Sequence, residues 1–177
     1  MGVLITYKGF EKGLVCRGYQ FRAYEVNVCE KAKTAREGFH SAENPLDVLT
    51  YYPNPETSEY WMCEVGGDVD EDGADSKVSS TELTLMHETG IRGLLIWGAV
   101  AHRDREDFAE SNKRKFGRPA TASRGYTISI CEDARAMGKD GDLLLIVGDN
   151  DAVLLTVGED SIKPNVWYNA RGEEVQA

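Results

Sequence analysis

Thiol, imidazole and carboxylate side chains set the chemistry open to this chain. Cys16, Cys29, Cys63 and Cys131 occur with no C-x-x-C among them, beside three histidines, His40, His87 and His102. Cys16, Cys29, His40 and Cys63 have the donor types of a tetrahedral zinc site built from separate segments, but the irregular spacing favours reduced, buried thiols and a structural histidine. A thiol nucleophile needs one of these cysteines beside a histidine, a proximity that spacing does not show. The run Asp68-Val69-Asp70-Glu71-Asp72-Gly73 places oxygen ligands and a glycine as a calcium loop does. The bidentate glutamate that such a loop requires is replaced by Ser79, and strand-like sequence flanks the run, so it reads as a solvated acidic turn. Gly-rich phosphate loops, G-x-S-x-G and H-E-x-x-H are absent, and no metal or cofactor is expected.

The charge balance narrows the partners. The formal net charge is −10, which opposes the neutralisation of a phosphate backbone, so direct nucleic-acid binding is disfavoured. The same field favours a basic protein surface. The cluster Lys113-Arg114-Lys115 with Arg118 falls near the end of an expected helix and reads as a solvated, dipole-complementing terminus. The longest apolar run, 94–100, is too short to span a bilayer, and the first residues carry no leader pattern, so a cytoplasmic protein is expected.

The elements that position these groups follow from periodicity. Strands are expected at 3–7, 14–16, 19–21, 24–29, 60–65 and 77–86, the fourth as a half-buried strand of period two. Asn44 as N-cap and Pro45 at the first helical position open a short helix through Tyr52, ended by Pro53 and Pro55. A change to helical period predicts one long amphipathic helix over 89–115. Further strands are expected at 126–131, 143–147 and 153–157, with Gly148-Asp149-Asn150-Asp151 as a hairpin turn and a last hairpin through Trp167-Tyr168 and Gly172. The fold class is α+β, a mixed or antiparallel sheet with one short and one long helix, in a single domain over 1–177. Within it lie an N-terminal region 1–87, the helix 89–115 and C-terminal strands 124–177.

Tyr7-Lys8-Gly9-Phe10, Cys16-Arg17-Gly18-Tyr19-Gln20-Phe21, Gly38-Phe39-His40, then Asn44-Pro45-Leu46-Asp47-Val48-Leu49 and Tyr51-Tyr52-Pro53, followed by Asp75-Ser76-Lys77-Val78, form a spaced set. It resembles an uncharacterised domain family common in phages and prophages. Ile162-Lys163-Pro164 with Trp167-Tyr168 resembles the tail that closes longer members, in which solenoid repeats separate the two parts; here those repeats are expected to be reduced to almost nothing. The resemblance implies a mobile-element protein in a bacterial cytoplasm and carries no activity with it.

Two functions are expected from these readings. The first is a non-enzymatic binder that inhibits a bacterial nucleic-acid-handling defence complex, in the manner of an anti-CRISPR protein. Asp68, Asp70, Glu71, Asp72 and Asp75 would face its basic residues, with Tyr60 and Trp61 as anchors if exposed. The second rests on Arg17, the Gly-Phe-His segment, Tyr51 and Glu64, whose order looks like an ADP-ribosyltransferase or NAD-binding core. That resemblance implies Arg17 on the dinucleotide, Tyr51 on the nicotinamide and Glu64 facing the developing oxocarbenium charge. The Ser-Thr-Ser and Glu-x-Glu motifs of such enzymes are missing. A structural or virion-associated role is the third alternative.

Overall fold

The computed structural model describes residues 4–32, 37–71 and 76–176. The chain divides into two compact units, Met1–Leu94 and Leu95–Ala177, the division falling inside a helix.

The first unit holds β1 (Leu4–Glu11), β2 (Val15–Cys16), β3 (Tyr19–Gln20), β4 (Val26–Val28), β5 (Phe39–Ala42), a 3-10 turn (Pro45–Asp47), α1 (Val48–Tyr51), β6 (Ser58–Glu71) and β7 (Lys77–Glu88). β1 runs antiparallel to β6 from Leu4 opposite Val65 to Glu11 opposite Ser58. β6 pairs with β7, β7 with β5, and β5 returns to β1 at Tyr7 opposite Ala42. The four strands therefore close on themselves as a small barrel. Two register shifts, at Met62/Cys63 and Gly66/Val69, bend the long β6–β7 ribbon as closure requires. At the second shift Gly67 adopts φ +68, and the Asp68 N–H donates to Thr81 Oγ1 at 2.8 Å.

Parity on the strands decides what fills this barrel. Phe10, Trp61, Cys63, Val65, Val78, Leu83 and Leu85 join Phe21 and Phe39 in one buried cluster. Each fully buried large side chain contributes about 1.5–3 kcal/mol relative to exposure, so this cluster dominates the unit's stability. Tyr60 and Trp61 are 1% and 6% exposed, which removes them as partner anchors: their strand carries them into packing on both faces. The expected acidic turn is also corrected, because Asp68 to Glu71 continue β6 as exposed strand residues, a geometry that cannot wrap a cation as a calcium loop does. Asp72 and Asp75 lie outside the described residues.

β4 forms where periodicity predicts, with its faces reversed. Asn27 is buried, its amide donating to the carbonyls of Arg22, Glu25 and Leu83 and its Oδ1 accepting from the Arg22 N–H. Tyr24, Val26 and Val28 face outward. The helix start is as read: the Asn44 side chain accepts from the Leu46 N–H at 3.3 Å, and Pro45 begins the turn that leads into α1.

The expected long helix is two helices, α2 (Gly90–Asp104) and α3 (Glu106–Phe116). Arg105 breaks them by adopting an extended backbone, with its guanidinium bonded to Asp107 and lying 4.1 Å over the Phe108 ring.

After α3 the second unit continues through β8 (Ala120–Thr121), β9 (Tyr126–Ile130), β10 (Arg135–Met137), β11 (Leu143–Val147), β12 (Ala152–Thr156), β13 (Trp167–Asn169) and β14 (Glu174–Val175). β10 lies parallel to β8 with Ala136 opposite Ala120, and β11 parallel to β9 with Leu143 opposite Tyr126. The chain thus returns over itself every 16 or 17 residues, making two stacked solenoid turns. The repeats expected to be reduced to almost nothing are present as this one pair of turns. Ala134, Ala136, Leu144, Ile146, Val157 and Tyr168 fill its interior, and β11 is buried along its whole length, as its unbroken apolar run predicts. On one side α3 packs against β9, burying Phe108 and Asn112. On the other, the antiparallel strands β12, β13 and β14 end the stack, with the Lys163 N–H donating to the Tyr168 hydroxyl at 2.7 Å.

Candidate functional site

β1 and β5 share one opposed residue pair, and beyond it the two strands part. The gap opens into a cavity of about 630 Å³. Its walls come from β1 (Tyr7, Lys8, Gly9), β5 (Phe39, His40), the β2–β3 hairpin (Cys16, Arg17, Tyr19) and the end of α1 (Tyr51, Tyr52).

Each wall has a local cause. Cys16-Arg17-Gly18-Tyr19 is a two-residue hairpin, and both central residues take positive φ, Arg17 at +50 and Gly18 at +78. Such primed turns match strand twist and favour Asn or Gly at the first central position. Arginine there is strained, and its side chain makes no hydrogen bond or ion pair among the described residues although it lines the cavity. The Glu59 carboxylate accepts from the Gly13 and Leu14 N–H groups and fixes the base of the hairpin. Tyr52 closes the far wall because Gly9 leaves room for its ring.

Lys8 shares the inward face of β1 with Leu4, Thr6 and Phe10, where it is 5% exposed. Its Nζ donates to the His40 carbonyl at 2.7 Å and to Cys16 Sγ at 3.6 Å, and lies 5.2 and 5.4 Å from the ring centres of Phe10 and Phe21. Among the described residues no carboxylate bonds it. Burial pulls the Lys8 amine below its ordinary pKa, with Arg17 pushing the same way and Cys16 and Cys63 opposing. Cys16 Sγ is also 3.2 Å from the Tyr52 hydroxyl, whose pKa is raised first by burial and then by this thiol. His40 buries an Nε2 with no hydrogen-bond partner among the described residues, and burial followed by the cations Lys8, Arg17 and Lys77 lowers its pKa. Lys77 lies 5.1 Å over the Tyr51 ring. The acids of the cavity are Glu11 and Asp47, and Asp47 is already engaged, accepting from Ser76 Oγ at 2.7 Å and from the Asn44 amide at 3.1 Å.

The residues singled out in the sequence divide accordingly. Arg17 and Tyr51 meet at the cavity, together with Cys16, Cys29 and His40. Glu64 does not: it stands on β6 opposite Ile5, away from the cavity lining, so the transferase triplet is not assembled. Cys63 is fully buried in the barrel core, where it donates to the Trp61 carbonyl and burial pushes its thiol up to about 12. Among the described residues no group of three or more His, Cys, Asp and Glu side chains is placed to hold a metal ion. Lys8 and Tyr52 are the functional candidates that sequence reasoning missed. The signal for Lys8 was its parity, a lysine in phase with Leu4 and Phe10.

Against known proteins, a family model described as a domain of unknown function (DUF7666) matches residues 4–96. The chain belongs to this family, and the matched stretch contains the whole barrel. No curated protein and no solved structure matches the chain.

Proposed function

We propose that the barrel is a small-molecule-binding module whose cavity takes an anionic ligand with a planar ring, of the nucleotide kind. The observation that carries this reading is Arg17, a guanidinium with no hydrogen bond or ion pair among the described residues, held in a strained backbone conformation on the rim of the cavity. Residues kept in such conformations cost about 1–3 kcal/mol and cluster at ligand sites. The cavity volume is in the range of small-molecule sites, and Tyr19, Tyr51 and Tyr52 offer rings for stacking. Arg17 and Lys77 bring cationic groups to the cavity, where Asp47 is already engaged by Ser76 and Asn44, inside a chain of net charge −10. Such local reversal attracts anions. Calorimetric titration with AMP, NAD and the uncharged nucleoside adenosine tests it: the anions should bind, adenosine should bind more weakly, and Arg17→Ala should abolish the difference. No heat from any of the three refutes the reading.

A second reading, capture of a basic protein surface such as that of a bacterial nucleic-acid-handling defence complex, is supported by the exposed Asp68, Asp70 and Glu71 at the end of β6. It also draws on the resemblance to phage and prophage proteins. Affinity capture from bacterial lysate at low and high salt tests it. A partner lost at high salt, and lost on neutralising the three acids, supports the reading; no salt-sensitive partner rejects it.

A further inference from the structure

We propose that Lys8 is a nucleophilic amine that condenses with the carbonyl carbon of an anionic aldehyde held in the barrel cavity, with the anion at Arg17 and the ring among the tyrosines. This rests on the small-molecule reading above and adds a covalent step to it.

The proton inventory around Lys8 leads there. An ammonium buried with no carboxylate partner among the described residues is strongly disfavoured, so the cationic amine is the state that burial removes. What remains is the neutral amine, its Nζ 3.6 Å from Cys16 Sγ. The two observed Nζ bonds, to the His40 carbonyl and Cys16 Sγ, use both hydrogens of a neutral amine and leave its lone pair in a third direction. The titratable and charged groups facing it are Cys16 and Arg17 from the hairpin, Cys63 from β6, His40 from β5 and Tyr52 from α1. None is a carboxylate that would restore the ordinary ammonium.

The step balances without a further reagent. The Nζ lone pair forms the C–N bond as the carbonyl π pair takes a proton and becomes a hydroxyl. That hydroxyl leaves as water when the nitrogen gives up its remaining hydrogen, so that aldehyde and amine yield imine and water. Cys16, 3.6 Å from Nζ and 3.2 Å from the Tyr52 hydroxyl, is placed to pass protons at both stages. Arg17 orients the anion and is a positioning residue.

Pyridoxal 5′-phosphate serves as the probe, since it combines a phosphate, a planar ring and an aldehyde. The intact protein is incubated with an equimolar amount, reduced with borohydride, and its labelled lysines are located by mass spectrometry. The exposed Lys113, Lys139 and Lys163 act as internal references. Lys8 should label in clear excess over all three, because the free-amine fraction rises as its pKa falls and Arg17 holds the probe's anion beside it. Arg17→Ala should bring Lys8 down towards their level without changing theirs. Labelling of Lys8 at or below the reference lysines overturns the proposal. Calorimetry with pyridoxine 5′-phosphate, which lacks the aldehyde, then separates the two readings: binding leaves the small-molecule reading standing and the imine refuted, whereas no binding refutes both for this ligand class.

Discussion

The ring of Tyr52 occupies the space that a side chain on Gly9 would need, so the wall of the cavity and the β1 backbone are packed in direct contact. Gly9→Ala should force the ring away and destabilise the protein by about 1–3 kcal/mol, the usual cost of overpacking a close contact. Circular dichroism should show a lower Tm, and the Cys16–Tyr52 contact should be lost with it. An unchanged Tm would mean that the ring moves aside freely and that the contact does not hold the wall.

Arg17 should trade stability against binding. Arg17→Gly removes the left-handed strain of the hairpin and should raise stability by up to about 1 kcal/mol while abolishing the preference for anions. Paired denaturant melts and calorimetric titrations check this. A variant less stable than the parent would show that the arginine serves the turn and not a ligand.

Alkaline pH should unfold the first unit ahead of an ordinary domain. Cys63 is pushed up to about 12 from 9.0, and Tyr7 to about 12 from 10.0, both by burial. The unfolded chain loses these protons first, so stability is complete below pH 9 and falls as pH rises towards 12. Lys8 has the opposite sign, because its lowered pKa adds stability as pH climbs to its ordinary value of 10.5. Urea midpoints between pH 8 and 11 should therefore fall, and fall less in Cys63→Ala. A parental profile that stays flat contradicts the buried, protonated thiol.

The two solenoid turns should be extensible. Because Leu143 sits over Tyr126 and Val147 over Ile130, a duplicate of residues 126–142 inserted after Asp142 repeats the stacked unit. The variant should fold, with β content increased and the stack about 4.8 Å longer. Small-angle scattering and circular dichroism check it; an aggregated or unfolded product shows that the turns depend on their particular neighbours.

Local chemistry made several elements readable. Asn44-Pro45 marks a helix start by capping and by proline's fixed φ, the run 143–147 is apolar throughout, and Gly148 to Asp151 turns one strand back on the next. Parity was harder: the period of β4 was legible, but Asn27 rather than Val26 and Val28 faces inward because its side chain completes four backbone bonds, one of them to the carbonyl of the distant Leu83. The break at Arg105 carries no glycine or proline to announce it. The cavity was legible only in fragments. Arg17 and His40 stood out by residue type, while Lys8 meets Cys16 and the His40 carbonyl only because a barrel closes across three segments.

The ring of four strands is unequal. Among the described residues eight pairs join β1 to β6 and four join β5 to β7, but Tyr7 and Ala42 alone join β1 to β5. Local opening follows the weakest ladder, at a fraction of the free energy that unfolds the whole. Parting that one pair would widen the gap at the cavity for a ligand of the proposed kind while the aromatic core stays intact. Amide hydrogens at this seam should exchange on the timescale of that parting, and those between β1 and β6 only when the domain itself unfolds.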